Sequence, residues 1–527
     1  MKHLLTLLFI SLLITNCGTS SSSKAISPTE MNEALSVDPL QYATTITKEE
    51  LKEMLYTYAS DEFEGRETGE KGQKMAVEYL KSQYQNMDIA SPFGGDNYFQ
   101  NVPLEKQRVA EAKISVNGKS FEDFEDHIVL RANENSNQSI KDLVYVSYGI
   151  DSENYSNYKD LDVTGKFVLA KAGEPKNADG NYITTGSSEN TKWSNGRQSL
   201  SSKRDAAIEN GAKGLILLDE ELFTRYAPYY QRLAENGTSN RLSLKSNDAE
   251  MVMLMVNENL AKALHPSILE DDKPKNIKTN LSLAIENKSE AISSENVVAY
   301  IKGSTKPDEI LVISAHLDHE GIKNGEVYNG ADDDGSGTIA ILEIAEAFKE
   351  AEKAGHGPKR SILFLHVTGE EKGLLGSRHY TDNDPIFPLE NTVANLNIDM
   401  IGRIDPKRKD GDRNYVYLIG SDKLSTDLHN ISEKMNEKYC NVELDYTYND
   451  DNDPNRFYYR SDHYNFAKNN IPVIFYFNGT HDDYHQPSDT PDKIEYDLLE
   501  NRARLVFYTA WEVANRADRP IVDKATE

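Results

Sequence analysis

The stretch ILVISAHLDH, residues 310–319, is an apolar run of strand length that ends in two histidines and an aspartate. Between this run and the next one lies Thr338–Lys353, whose apolar residues recur at helical spacing. The later runs of the same kind are Ser361–Val367, Ala394–Met400 and Pro472–Tyr476. Buried strands that alternate with helices predict an α/β fold, with a mostly parallel mixed sheet flanked by helices.

Residues that can bind metal ions follow each of these predicted strands. Ligands of open α/β sheets bind beyond the carboxyl ends of the strands, so chemistry is expected at these positions. The segments are His316–His319, Asn329–Gly337, Thr368–Glu371, Asn397–Met400 and Gly479–His485. Each alone could be an ordinary turn or helix start. Independent turns have no reason to place histidines and carboxylates at the same end of several strands, so together they predict a metal site.

These motifs resemble those of the co-catalytic zinc exopeptidases, which include leucyl-type aminopeptidases, glutamate carboxypeptidase and, with altered chemistry, glutaminyl cyclases. The resemblance covers about residues 47–110 and 290–515 and implies two zinc ions. By motif, it implies that one ion is held by His316, Asp332 and Asp399. The other would be held by Asp332, Glu371 and His485. Asp332 would therefore bridge the ions, and a cis peptide bond is expected between Asp332 and Asp333.

The residue types agree with two-metal hydrolysis independently of the family. Carboxylates and imidazoles without thiolates suit zinc, manganese or cobalt, and two ions about 3.5–4 Å apart can share a bridging hydroxide. Glu370 is then free to act as general base and acid. Asp318 is expected to accept the second N–H of His316 and so fix its tautomer.

Two further side chains are candidates for the oxyanion or for substrate. Tyr458 could donate its hydroxyl to a tetrahedral intermediate, and packing against the core is its alternative role. Arg460 could contact substrate or form an ion pair with Asp462. His481 is the nearest rival of His485, which is preferred because its context matches the terminal ligand motif of the family.

The predicted function is that of a zinc-dependent exopeptidase acting on peptides, with release of N-terminal amino acids favoured over carboxypeptidase or dipeptidase action. The metal motifs do not decide which end of the peptide is bound, because both ends can be presented to the same hydroxide. No cluster of arginines forms a clear binding site for a substrate carboxylate, although Arg403, Arg456 or Arg460 could bind one. A glutaminyl cyclase with one working zinc and a non-catalytic envelope binding protein are the alternatives.

The chain divides into a peptidase domain and an insertion. Residues 46–111 and 289–520 are assigned to the peptidase domain, and 112–288 to a smaller β-rich inserted domain. The segments Asp162–Lys166 and Ala206–Gly214 resemble those of the protease-associated domain.

The N-terminus predicts export. Leu4–Ile14 has the length of a signal-peptide core and is too short to span a bilayer. The following Cys17 and its serine-rich context resemble a bacterial lipoprotein signal, which implies a signal peptide over 1–16, a lipidated Cys17 and a flexible tether over 17–45. The expected location is the cell envelope, with membrane contact only through the lipid. A net charge of −28 argues against nucleic acid as a partner, and the oligomeric state is left open.

Overall fold

The computed structural model describes residues 37–132, 134–236, 241–245 and 251–524, so the predicted signal peptide and Cys17 lie outside the described residues. The strands are β1 (Phe99–Lys106), β2 (Glu111–Val116), β3 (Lys119–Phe121), β4 (His127–Arg131), β5 (Ser136–Tyr145), β6 (Asp151–Ser152), β7 (Tyr155–Ser156), β8 (Phe167–Lys171), β9 (Gly214–Leu218), β10 (Leu242–Leu244), β11 (Val252–Val256), β12 (Lys275–Glu286), β13 (Glu290–Ile301), β14 (Lys306–His316), β15 (Gly321–Lys323), β16 (Glu326–Tyr328), β17 (Arg360–Val367), β18 (Thr392–Ile398), β19 (Tyr415–Ile419), β20 (Glu443–Asp445) and β21 (Val473–Phe477).

The helices are α1 (Leu40–Ala43), α2 (Lys48–Tyr58), α3 (Lys71–Asn86), α4 (Gly196–Glu209), α5 (Glu220–Asn236), α6 (Glu258–Leu264), α7 (Gly337–Lys353), α8 (Leu375–Arg378), α9 (Thr426–Met435), α10 (His463–Ala467) and α11 (Tyr496–Asn515). Shorter helical turns include Asp61–Arg66 and Ala331–Ser336. Among the helices of the described residues, none has both the length and the apolar character needed to cross a bilayer.

The larger sheet carries the predicted site. Its nine strands have the order β10-β1-β13-β17-β14-β18-β21-β19-β20. The central strands β17, β14, β18 and β21 run parallel and correspond to the four apolar runs of the sequence. His316 lies beside Val367, and Ser314 lies beside Asn397, so the carboxyl ends of these strands meet at one edge. The predicted fold class is therefore confirmed.

Helices cover both faces of this sheet. On one face, α2, α3, α7, α9 and α11 pack with alternate strand residues such as Leu311 and Ile313. On the other face, Ile310 and Val312 pack with Phe466 of α10. Because both faces are buried, the strand residues are apolar without a two-residue alternation, as the sequence indicates.

A second sheet of eight strands occupies the predicted insertion. Its order is β3-β2-β12-β5-β8-β9-β11-β4, and apolar side chains are buried on both of its faces. The chain also sends one short strand back: Leu244 of β10 pairs with Leu104 of β1 in the larger sheet. No pattern in the sequence predicts this return. The likeness to protease-associated domains stays a prediction.

The predicted flexible tether over 17–45 is wrong at its C-terminal end. Residues Leu40–Ala43 form helix α1, in which Tyr42 and Ala43 are buried. The Tyr42 ring stacks on Trp511 at 5.7 Å, and Arg504 donates to the carbonyl of Ala43. Packing of these side chains against α11 therefore fixes this part of the segment.

Candidate metal centre

A glycine turn brings the aspartate-rich segment against the end of β14. The backbone of Gly330 is left-handed, with φ at 52°. A Cβ atom at this position would lie 2.2 Å from the Asp333 carbonyl oxygen and 2.4 Å from Cγ of His319. Only glycine lets the turn approach His319 so closely, because any other side chain would clash with both residues.

The site is a cluster of imidazoles and carboxylates around Asp333. His316 Nε2 lies 3.1 Å from Asp333 Oδ1 and 3.7 Å from Asp399 Oδ1. His485 Nε2 lies 3.0 Å from Asp333 Oδ2 and 3.2 Å from Glu371 Oε1. Four residues of the sequence-predicted ligand set therefore lie together. The His485 side chain is 32% exposed, whereas those of His316 and Asp333 are nearly buried, so the cluster opens to solvent at His485.

Asp332 does not lie at the centre of this cluster, and its predicted bridging position is corrected to Asp333. One Asp332 oxygen accepts the backbone N–H of Gly402 at 2.7 Å, and the other lies 3.2 Å from His481 Nε2. The turn over Ala331–Ser336 directs the side chains of neighbouring residues to different sides, so only Asp333 faces His316 and His485. The cis peptide bond likewise joins Asp333 and Asp334, one residue later than expected.

The third aspartate of the run braces the surrounding loops. Asp334 accepts backbone N–H groups of His316 at 3.2 Å, Gly337 at 3.0 Å and Met400 at 3.0 Å. Although Asp334 lies close to His316 and Asp399, its carboxylate is occupied by these three donors. It connects the end of β14, the start of α7 and the segment after β18.

The expected contact between the Asp318 carboxylate and His316 is not made. His316 Nδ1 lies 3.0 Å from the backbone carbonyl oxygen of Asp318, while the Asp318 carboxylate is 4.0 Å away. That carboxylate instead accepts the Thr68 hydroxyl at 2.7 Å and the Glu370 backbone N–H at 3.2 Å. An Nδ1–H donated to the carbonyl fixes the tautomer of His316 and leaves Nε2 to face the carboxylates.

A buried chain of polar side chains orients Asp399. The Ser461 hydroxyl donates to Asp399 Oδ2 at 2.6 Å, and the Asn397 amide donates to Ser461 at 2.9 Å. Ser314 donates in turn to Asn397 at 2.7 Å. Because Oδ2 is engaged, Asp399 Oδ1 is the oxygen that turns toward His316.

Charge interactions in the cluster favour a cation. Burial alone would lower the pKa of His485, but contacts with Asp333 and Glu371 raise it to about 10. Burial and the Asp333 charge raise the pKa of Glu371, but the imidazoles of His319 and His485 lower it to about 2. Burial also raises the pKa of Glu370 well above its ordinary value, and the charges of Glu371 and Asp399 raise it further. The carboxylates of the cluster therefore favour the binding of a cation between them.

The donor set fits zinc. Among the described residues, several buried atoms of the cluster have no hydrogen-bond partner: His316 Nε2, His319 Nδ1, Asp333 Oδ2 and Glu371 Oε1. Unpaired burial of such atoms is unfavourable, and imidazole nitrogens and carboxylate oxygens are donors that zinc accepts. Their shared position is therefore explained if they converge on metal ions.

The structure does not bring Tyr458 and Arg460 to the cluster in any contact found among the described residues. The Tyr458 ring packs with Tyr459, His463 and Tyr464. Arg460 is exposed and lies over the Phe457 ring at 4.9 Å, while Asp462 is buried and accepts the Ser377 hydroxyl. Packing, the alternative role of Tyr458, is what the structure shows, and the ion pair between Arg460 and Asp462 is absent.

Tyr484, unlike Tyr458, lies beside the cluster. Its ring stacks on His485 at 3.9 Å. Burial raises the pKa of its hydroxyl, and the charges of Asp333, Glu371, Glu370 and Asp399 raise it further. The sequence signal for this residue was its place directly before His485.

Arg66 is a second residue that the sequence analysis missed. The segment around it, Ser60–Gly69, is a mostly polar stretch with two glycines, and this composition predicts only a loop. The buried Arg66 guanidinium donates to the carbonyls of Tyr58, Leu317, Asn329 and Gly330 at 2.7–3.2 Å. It therefore ties the N-terminal segment to both loops that flank His316 and Asp333.

Comparison with known proteins gives a consistent result. Residues 296–510, which include the whole cluster, match the model of peptidase family M28. Aminopeptidase NAALADL1 of Mus musculus is 32% identical over 123 residues, 23% of this chain and 16% of the relative. Aminopeptidase YwaD of Bacillus subtilis (strain 168) is 26% identical over 235 residues, 43% of this chain and 46% of the relative. The chain thus spans less than half the length of these two relatives.

A solved structure, the aminopeptidase from Aneurinibacillus sp. strain AM-1, is 18% identical and aligns over 93% of this chain and 99% of its own, with a TM-score of 0.45. The match of residues 296–510 to the model of peptidase family M28 agrees with the resemblance seen in the strand-end motifs.

Proposed function

We propose that this protein is a zinc-dependent exopeptidase that removes N-terminal amino acids from peptides. The observation that carries the proposal is Asp333, whose two carboxylate oxygens each face a different imidazole, that of His316 and that of His485. A bridging carboxylate between two histidines is an arrangement suited to a pair of metal ions. The names of the aminopeptidase relatives and the family match support the same activity.

The residues would divide into two metal subsites. His316 and Asp399 would hold one zinc ion, Glu371 and His485 the other, and Asp333 would contact both. Manganese or cobalt could replace zinc, because the donors are the same hard and borderline types. Bound zinc supplies Lewis acidity, which makes a water molecule nucleophilic near neutral pH and polarises the scissile carbonyl.

Glu370 would move the proton during the reaction. It precedes Glu371 directly, and burial together with neighbouring carboxylates raises its pKa well above the ordinary value. A carboxylate beside the metal subsites can take a proton from the attacking water and return it to the leaving amine. Tyr484, whose ring stacks on His485, would donate a hydrogen bond from its hydroxyl to the developing oxyanion.

The three arginines that could receive a substrate carboxylate already make other contacts, which favours an aminopeptidase. Arg403 donates to Asp483 at 2.9 Å, Arg456 lies over the Tyr459 ring, and Arg460 lies over the Phe457 ring. A substrate α-carboxylate would have to compete with these contacts.

Hydrolysis of a panel of aminoacyl-nitroanilides and N-blocked dipeptides, with and without chelator, tests the proposal. We expect turnover of the nitroanilides, its loss with chelator and its recovery with zinc. Turnover of the N-blocked dipeptides alone would assign a carboxypeptidase. Cyclisation of N-terminal glutamine without hydrolysis would assign a glutaminyl cyclase, and a bound metal without turnover would assign a binding protein.

We also propose that residues 1–16 direct export and that a lipid on Cys17 holds the enzyme in the cell envelope. The apolar run Leu4–Ile14 and the cysteine that follows it support this location. Metabolic labelling with a radioactive fatty acid, compared between the wild type and Cys17→Ser, tests it. Loss of label in the variant is expected, and equal labelling would contradict the anchor.

A further inference from the structure

His319 lies in the cluster but has no place in the ligand set of the proposed site. Its side chain is fully buried. Its Nδ1 atom lies 2.9 Å from Glu371 Oε1 and 3.8 Å from Asp333 Oδ2, and its ring meets that of His485 edge to face at 5.6 Å. His319 therefore approaches the same two carboxylates that His485 approaches.

The contact between His319 and Glu371 is close without being a hydrogen bond. Neither ring nitrogen of His319 has a hydrogen-bond partner among the described residues, although Nδ1 is within reach of a carboxylate oxygen. His316 Nε2 shows the same combination of a carboxylate oxygen at 3.1 Å and no hydrogen bond. Metal-ligand atoms that lie close together without forming a hydrogen bond to each other are expected when both coordinate the same ion.

The fold holds His319 in this position at some expense of free energy. Burying an imidazole without hydrogen bonds is unfavourable unless another interaction compensates. The ring is also confined by the turn at Gly330. A Cβ atom at Gly330 would lie 2.4 Å from His319 Cγ, so only the hydrogen atom of a glycine fits beside the ring. A side chain with a structural role alone could be replaced by an apolar one, which would remove the unpaired nitrogens.

We infer that His319 Nδ1 is an additional metal donor of the subsite formed by Asp333, Glu371 and His485. The inference rests on the proposed metal centre and deepens it. The subsite would then offer two imidazoles, whereas the subsite of His316, Asp333 and Asp399 offers one. The two zinc ions should consequently differ in affinity, and the ion near His319 should be the more tightly held.

Zinc K-edge X-ray absorption of the full-length protein, loaded with two equivalents of zinc, measures the imidazoles directly. We expect three imidazoles shared by two zinc ions in the wild type and two in His319→Asn. Stepwise zinc affinities are measured against a chromogenic chelator. We expect the affinity of His319→Asn for one zinc ion to be lower than that of the wild type by more than about 100-fold, because the loss of a residue that only supports a ligand lowers affinity by about 10–100-fold.

His366→Asn is the matched control. His366 is equally buried, in β17, and it bonds with the Tyr84 hydroxyl at 2.7 Å. The His366→Asn substitution should leave the number of coordinating imidazoles and both zinc affinities unchanged. Two imidazoles over two zinc ions in the wild type would overturn the inference whatever His319→Asn does to affinity. A wild type that binds no zinc would overturn the proposed function itself, so the two failures are distinguishable.

Discussion

Asp489 fixes the backbone at Asp333. Its Oδ2 atom accepts the backbone N–H of Asp333 at 3.2 Å and also that of Asp332 at 3.0 Å. The Asp489 carbonyl accepts the backbone N–H of Ala331 at 3.2 Å. The residue four positions after His485 thus holds the turn that carries the central aspartate, so the two sides of the cluster are built as one unit.

Removal of this acceptor should weaken metal binding. Asp489→Ala leaves two buried N–H groups without a partner and frees the turn around Asp333. We expect zinc affinity and kcat/KM to fall by about 10–100-fold, the usual effect of residues that position a metal ligand. Asp492→Ala, which alters an exposed carboxylate of the same segment, should change neither quantity by more than about twofold. Equal effects of the two variants would contradict this role.

The correction from Asp332 to Asp333 is tested by two substitutions. Asp333→Asn removes the charge that faces both His316 and His485, and we expect zinc affinity to fall by more than about 100-fold. Asp332→Asn keeps an oxygen for the N–H of Gly402, so binding should weaken by less than about tenfold. Isothermal titration of the metal-free proteins with zinc measures both. Loss of zinc in the Asp332 variant alone would restore the original assignment.

Glu370→Gln separates proton transfer from metal binding. The substitution keeps the size of the side chain but removes its capacity to take a proton, so kcat should fall by about 100-fold to 10,000-fold. The zinc content should stay equal to that of the wild type, because Glu370 makes none of the contacts that define the cluster. Steady-state kinetics on an aminoacyl-nitroanilide, together with metal analysis of the same sample, give the answer. Retained turnover would remove Glu370 from the reaction.

Arg66→Met tests the connection between the N-terminal segment and the site. The substitution leaves carbonyls such as those of Asn329 and Gly330 without their donor. The free energy of unfolding should fall by at least about 3 kcal/mol, since each of the four lost hydrogen bonds from this charged donor contributes about 1.5–3 kcal/mol. Urea denaturation measures it, and Arg225→Met on an exposed helical surface is the control. A change as small as that of the control would show that solvent replaces these bonds.

The sequence predicts the sheet and the ligand types better than it predicts individual positions. Apolar runs followed by histidines and carboxylates locate the edge of the sheet, because parallel strands place their carboxyl ends together. Asp332, Asp333 and Asp334 are chemically identical, however, and only the turn after Gly330 decides which of them faces His316. The sequence likewise does not indicate the roles of Arg66 and Thr68. These residues contact Leu317 and Asp318, which lie more than two hundred positions later in the chain. Long-range contacts of this kind leave no local pattern.

Glu343 should make the stability of the protein depend on pH. Its side chain is buried in α7, its Oε2 accepts the Thr47 backbone N–H at 3.1 Å, and burial raises its pKa from 4.5 to about 8. Between these values the folded protein keeps the proton while the unfolded chain loses it. The free energy of unfolding should therefore decrease as pH rises through this interval, by a contribution on the order of 3 kcal/mol.

Glu343→Gln stays neutral, so its stability relative to the wild type should increase from pH 5 to pH 9 in urea denaturation. Glu352→Gln, at an exposed position of the same helix, should show no such trend, and a constant difference for Glu343→Gln would mean that the folded protein ionises this group without loss of stability.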